Sequence, residues 1–357
     1  MKLIHHHPFM NDDKNAGYRG PGSSQLSKKL IHDKLEILSA SQIAPEFHEV
    51  GILSGYRKPS TSFTLSILSV FRMHNETLNI WTQIIPTLFF VVQLVLNFFH
   101  VGERFLLIYL VTAVTFLSVS SCAHTFSCLS PGARHICFFL DYIGISLYSC
   151  GSAVCYYAFA LPLGYLRPSP VLFLNLSDVF LFFSVLFCIS GTYLSCQTRF
   201  WKPSIMRNII RMGAFGIVLF YVGAPILWRL YTCTYMAEEY ETSECKSLYY
   251  WNLHFLLLFS AGCLYVSHFP ERVFPGRFDI FGHSHQIFHV CSAFGAIMQY
   301  YALRIDLQER NAKLKLMSHA PSIPFSLFCL SLVVFCNCII FLKFCKRLFA
   351  INESKKF

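Results

Sequence analysis

Residues 105–124 read FLLIYLVTAVTFLSVSSCAH, an unbroken run with no charged side chain before the histidine that closes it. About twenty predominantly apolar residues make a helix long enough to cross the hydrocarbon core of a bilayer. Length and composition therefore predict a transmembrane helix here. Ser120 and His124 put polar groups into its last turns, where such groups are costly and tend to carry function.

Runs of similar kind recur on both sides, at 80–99, 136–160, 171–195, 208–230, 248–268, 284–303 and 324–345. Eight spans joined by short connections predict an all-α integral membrane protein folded as one helical bundle over residues 80–345. Bulk composition agrees. The 357 residues are 54% hydrophobic and 13% charged, against about 25% charge in ordinary soluble domains. Residues 1–45 read as a mobile basic tail, 46–79 as an amphipathic lead-in, and 346–357 as a short basic tail. The first 60 residues hold no apolar run of the kind that marks a cleavable signal peptide. The net charge of +10 is what basic loops beside apolar spans produce, and they meet anionic lipid rather than nucleic acid.

Lys and Arg near span ends set orientation. With the N-terminus in the cytosol, fifteen of them fall in inner segments and eight in outer ones, the segment 304–315 being the discordant piece. That places both termini in the cytosol. The acidic segment 232–247 then faces the oxidising exterior, where Cys233 and Cys245 form either a disulfide or two free thiols. Most of the other thirteen cysteines sit in apolar runs and read as small hydrophobes.

The same topology has a chemical consequence. His124 ends the second span, Asp141 lies near the start of the third, and His285 and His289 open the seventh. All four come to one membrane depth on the cytosolic side. His285 and His289 are i and i+4, so both imidazoles leave one helix face, as in helical zinc sites. A lone His at a membrane interface is usually just a hydrogen-bonded amphipathic residue; three with an Asp at one depth favour a metal. His124, His285 and His289 would hold zinc and leave a fourth position open. Asp141 and Ser120 would assist the metal-bound water or an oxyanion if the site is catalytic. His283 points to another face of its helix.

These residues resemble a known family. The stretches His74 to Thr82, Ser120 to His124 with Asp141 and Tyr142, and Pro270 to Asp279 followed by Ser284 to His289 are similar to those of the progestin and adiponectin-Q receptor family. The likeness covers roughly residues 46–345. Its progestin-receptor branch, particularly the gamma type, is matched by Gly51 to Arg57, Ser121 to Ser127 and His268 to Arg272, although Gln83 stands where gamma-type relatives have His. The resemblance implies a seven-helix bundle of the adiponectin-receptor type with an eighth C-terminal span. It implies zinc on the three histidines, with Asp141 and Ser120 beside it. It further implies progestogen steroid binding at the plasma membrane, signalling through inhibitory G proteins, and in some members a part in oocyte maturation. The chain is also similar to the alkaline ceramidases, which share the Ser, Asp and three-His set, so that ceramide or a related lipid is a second candidate partner. No steroid-contacting residue is readable from the sequence.

Overall fold

The computed structural model describes residues 36–60, 62–101, 103–162, 175–235, 245–315 and 321–354. Those residues form a helical bundle with one small two-stranded sheet at one end. The sheet pairs β1 (Ile37–Leu38) antiparallel with β2 (Tyr56–Arg57), Ile37 opposite Arg57 and Leu38 opposite Tyr56. The boundary expected at residue 45 therefore moves toward the N-terminus, and residues 36–45 belong to the folded part. The reason is a small apolar cluster of Ile43, Phe47, Ile52 and Tyr56, against which Leu38 and Ala40 pack. The rest of the expected tail, up to residue 35, lies outside the described residues.

A short helix α1 (Phe63–Ser69) follows, its N-terminus capped by Ser62, whose hydroxyl accepts from the Leu65 N–H. Eight long helices come next: α2 (Thr77–Leu96), α3 (Arg104–Phe126), α4 (Pro131–Cys155), α5 (Leu176–Thr198), α6 (Ile205–Tyr235), α7 (Leu248–Ser267), α8 (Ser284–Lys315) and α9 (Ile323–Ser354). They coincide with the eight expected spans, with ends set by local chemistry. α4 starts at Pro131 because Ser130 caps it and proline is tolerated at the first helical position. α2 and α4 each continue into a single π-helical turn, Asn97–Val101 and Tyr156–Ala160.

Six of the eight long helices are apolar and long enough to cross a membrane by themselves; α7 and α8 are not. Polar residues within their runs lower the apolarity of both. α7 turns His254 and Trp251 inward, and α8 turns in His289, Gln299 and Asp306. Such groups cannot face lipid, and here they face protein. The lipid-side pattern is the converse: Ile85, Leu88, Phe220, Phe328, Phe335 and Leu342 are exposed. The chain is a multi-pass membrane protein.

Neighbouring helices pack in sequence order, α3 on α4 and α7 on α8 most extensively, while α8 closes back on α2 and α9 lies against α4 and α5. Small residues allow the closest approach. A Cβ on Gly151 of α4 would stand 1.9 Å from the Thr112 hydroxyl of α3. One end of α3, of α4 and of α8 is thus brought to the same end of the bundle, and there the N-terminal segment folds across it. Gly51, at φ +75°, lies so near the chain between α7 and α8 that a Cβ would meet the Glu271 carbonyl at 2.3 Å. Asp279 completes this clasp by accepting from the Leu53 N–H at 2.9 Å and the Ser54 hydroxyl at 2.6 Å.

Candidate metal centre

His124 hangs from the last turn of α3. The backbone there is held by Arg57, which is buried and donates to the carbonyls of His124 at 2.6 Å and Thr125 at 2.7 Å. A guanidinium at the C-terminal end of a helix satisfies carbonyls that have no helical partner and meets the negative end of the macrodipole. His285 and His289 come from the first turns of α8, one turn apart on the same face. The three imidazoles converge: ring centroids are 5.1 Å apart for His124 and His285, 4.8 Å for His124 and His289, and 4.5 Å for His285 and His289. Ligand atoms of all three lie within 4.8 Å of one another.

The hydrogen bonds around the rings bear on what the centre can hold. His124 Nδ1 lies 2.8 Å from the Glu76 carboxylate. His289 Nδ1 lies 3.1 Å from the Asn79 carbonyl. Carboxylates and carbonyls only accept, so in both rings Nδ1 carries the proton and Nε2 offers a lone pair. His124 Nε2 in turn stands 3.3 Å from His285 Nε2. His285 Nε2 either donates to this nitrogen or, with its proton on Nδ1, turns a second lone pair toward a shared cation. For Zn–N bonds of about 2.0–2.1 Å in a tetrahedron, ligand nitrogens lie about 3.3 Å apart. The donor set therefore fits a divalent metal, and an imidazole–carboxylate pair such as His124–Glu76 is the usual outer support of a metal-bound histidine.

Glu76 was not singled out as part of this centre by the sequence. It precedes the first turn of α2 and receives the Asn79 side-chain amide at 2.6 Å. The available signal was a carboxylate and an amide spaced i and i+3 at the entry to a membrane span, on one helix face. Burial opposes the charge on Glu76, but the His124 imidazole and the hydrogen bonds it receives outweigh that and keep the carboxyl well below its ordinary range.

Ser120 and Asp141 line the same cavity as the three histidines. Asp141 Oδ1 is buried and accepts from no described residue. His283 turns away, its Nε2 3.1 Å from the Asn75 carbonyl. Cys233 and Cys245 are joined as a disulfide at the other end of the bundle.

The cavity encloses about 310 Å³ and runs along α8 from His285 to Gln299. At 1.5 Å rise per residue that is about 21 Å of helix. Its walls are largely apolar, with Phe215, Val218, Val222 and Leu258 among them. Near the histidines it meets Arg199, Arg207 and Arg211. Arg211 donates to the Tyr265 hydroxyl at 3.2 Å. Each of the three guanidiniums keeps a buried nitrogen with no acceptor among the described residues. Glu49 of the N-terminal segment lines the mouth and pairs with Arg134.

The arrangement has relatives. Residues 71–300 match the family described as Haemolysin-III related. The chain is 39% identical over 299 residues to membrane progestin receptor gamma of Homo sapiens, covering 81% of this chain and 86% of that protein. It is 37% identical over 286 residues to membrane progestin receptor delta of Homo sapiens, with 78% and 80% covered. It is 30% identical over 273 residues to membrane progestin receptor alpha-B of Danio rerio, with 74% and 75% covered. With its bundle, its histidine cluster and these matches, the chain belongs to the haemolysin-III-related family, on its progestin and adiponectin-Q receptor side.

Proposed function

We propose that this protein is a plasma-membrane progestogen receptor with an intramembrane zinc site and its N-terminus in the cytosol. The observation that carries the reading is the cavity. It is apolar along most of its length, of a size used for small ligands, and supplied at one end with buried arginine nitrogens that have no acceptor among the described residues. A flat hydrocarbon skeleton carrying carbonyl acceptors matches that lining. The relatives named as progestin receptors support the same ligand class, and the family resemblance supports coupling to inhibitory G proteins. The excess of Lys and Arg at the histidine end supports the orientation. In this reading zinc on His124, His285 and His289 braces α3 against α8. The test is saturable binding of a radiolabelled progestogen to membranes holding folded protein. Binding that is absent there, with metal content intact, refutes the receptor.

One observation favours a second reading, a zinc-dependent lipid amidohydrolase acting on ceramide or a related lipid. Asp141 keeps an unpartnered carboxylate oxygen in the cavity beside Ser120 and the histidines. Bound zinc would supply an acidified water and polarise an amide carbonyl. Asp141 would take and return the proton, and Ser120 would donate to the oxyanion. Ceramide turnover by the purified protein, abolished in Asp141→Asn with metal retained, would establish the enzyme.

A further inference from the structure

Beyond His285 along α8, about 15 Å at 1.5 Å per residue, the cavity meets a histidine of α7. His254 is 1% exposed and lines the same cavity as the metal ligands. Its Nδ1 lies 2.8 Å from the Gly295 carbonyl of α8. A carbonyl only accepts, so Nδ1 carries the proton and Nε2 is an acceptor. That Nε2 is buried, and no described residue donates to it. The ring is held in place as well. Trp251 meets it edge-on with centroids 5.8 Å apart, Phe255 at 5.1 Å, and Trp251 is itself anchored by donating to Asp306 at 3.0 Å. Val222 and Leu258 line the same cavity, as do the polar Tyr156 and Gln299, the Gln299 amide donating to the Tyr156 hydroxyl at 2.7 Å. The other unpartnered acceptors lining the cavity, on Asn79, Gln83 and Asp141, belong to α2 and α4. A fixed acceptor with no donor among the described residues, deep in the cavity, is the converse of the arginine donors at the metal end.

We propose that His254 is a specificity-determining residue: its Nε2 accepts a hydrogen bond from a hydroxyl group at the deep end of the bound ligand. The inference rests on the reading of this cavity as a steroid site, and it concerns which steroids are distinguished. A site with a positioned acceptor discriminates against an analogue that has no donor to offer, because the acceptor is then left buried and unpaired.

The test compares a hydroxysteroid with the matching ketosteroid, identical but for that group, binding to the full chain in lipid nanodiscs. Wild type, His254→Phe and His254→Gln are measured, and metal content reports that each is folded. Wild type should bind the alcohol about tenfold more tightly than the ketone. His254→Phe should lose that ratio while still binding the ketone, and His254→Gln, whose amide oxygen accepts, should keep part of it. If His254→Phe does not fold, His254→Met removes the acceptor with a more adaptable side chain. Gly216 supplies the control, since it lines the cavity and a Cβ there would meet nothing within 4 Å. Gly216→Leu should weaken both probes equally. An alcohol preference that survives in folded His254→Phe or His254→Met, or no preference in wild type, overturns the proposal. If neither steroid binds wild type saturably, the steroid reading itself fails and takes the proposal with it. That outcome differs from binding without selectivity.

Discussion

At the Glu76 carboxylate two donors converge, the Asn79 amide at 2.6 Å and the His124 ring at 2.8 Å. The residue touches no other histidine of the triad, yet it decides which nitrogen of His124 faces inward. Glu76→Gln keeps the shape and removes the charge. Outer-shell partners of this kind contribute about 10–100-fold to metal affinity. A drop of that size is expected when the variant competes with a chelator for its metal, while the helical content stays unchanged. An unaltered affinity would mean that the charge on Glu76 adds nothing beyond an accepting oxygen, which the amide retains. His254 makes the same point. A histidine in an apolar helix says nothing by itself about which of its nitrogens is free; the Gly295 carbonyl says it.

At the scale of elements, the end of the bundle away from the metal is tied by one buried ion pair. Arg229 of α6 donates to Asp306 of α8 at 2.6 and 3.1 Å. Asp306 also accepts from Ser247, just before α7, at 2.6 Å and from Trp251 of α7 at 3.0 Å. Three helices thus share one carboxylate, close to the Cys233–Cys245 disulfide that joins the end of α6 to the turn before α7. Asp306→Asn leaves a buried guanidinium without its countercharge, a change that costs about 3–5 kcal/mol. It should lower the unfolding midpoint in detergent sharply. Arg229→Met/Asp306→Leu should recover much of that loss, since replacing both partners by apolar groups removes the uncompensated charge. Neither Arg229 nor Asp306 was singled out by the sequence. Nothing in either local sequence marks the other as its partner. By contrast, the existence and approximate bounds of all eight long helices were legible, because a membrane span is a matter of length and apolarity. The two that composition alone marks least clearly are α7 and α8, whose apolar runs are interrupted by His254 and by His289, Gln299 and Asp306.

For the molecule as a whole, the N-terminal segment is a cover over the metal end, and a histidine helps to seat it. His74 is fully buried; its Nδ1 accepts from the Glu76 N–H at 3.1 Å and its Nε2 donates to the Ser69 carbonyl at 3.1 Å. Burial first, and then the nearby Arg57 guanidinium, push its pKa down to about 3. The folded protein therefore holds this ring neutral, whereas in the unfolded chain it takes a proton near 6.5. Its contribution is complete above about pH 6.5 and declines as the pH falls from there toward 3. Amide protection over residues 36–60 and 62–76, taken as the exchange rate relative to its intrinsic value at each pH, should fall between about pH 7 and pH 5. The measurement belongs in a His285→Ala/His289→Ala background, where metal release adds nothing. In that background His74→Gln should flatten the pH dependence; an equally steep response would place the acid-sensitive group elsewhere.

The sequence alone determined the class of the protein and led to the expectation that its polar residues share one depth. Span length, charge bias and the i, i+4 spacing of His285 and His289 are local properties, read over one or a few turns. They sufficed to predict a bundle with three histidines and an aspartate at one level. The tertiary structure alone decided the partners: that Glu76 supports His124 from 48 residues away, that Arg229 finds Asp306 across 77, that residues 36–57 fold back over the α7–α8 connection, and that one nitrogen of His254 is left facing the cavity. The physical reason is the same throughout. Burial asks every polar group for a partner. Which partner is within about 3 Å depends on how helices distant in sequence pack, and that is not written in either helix separately.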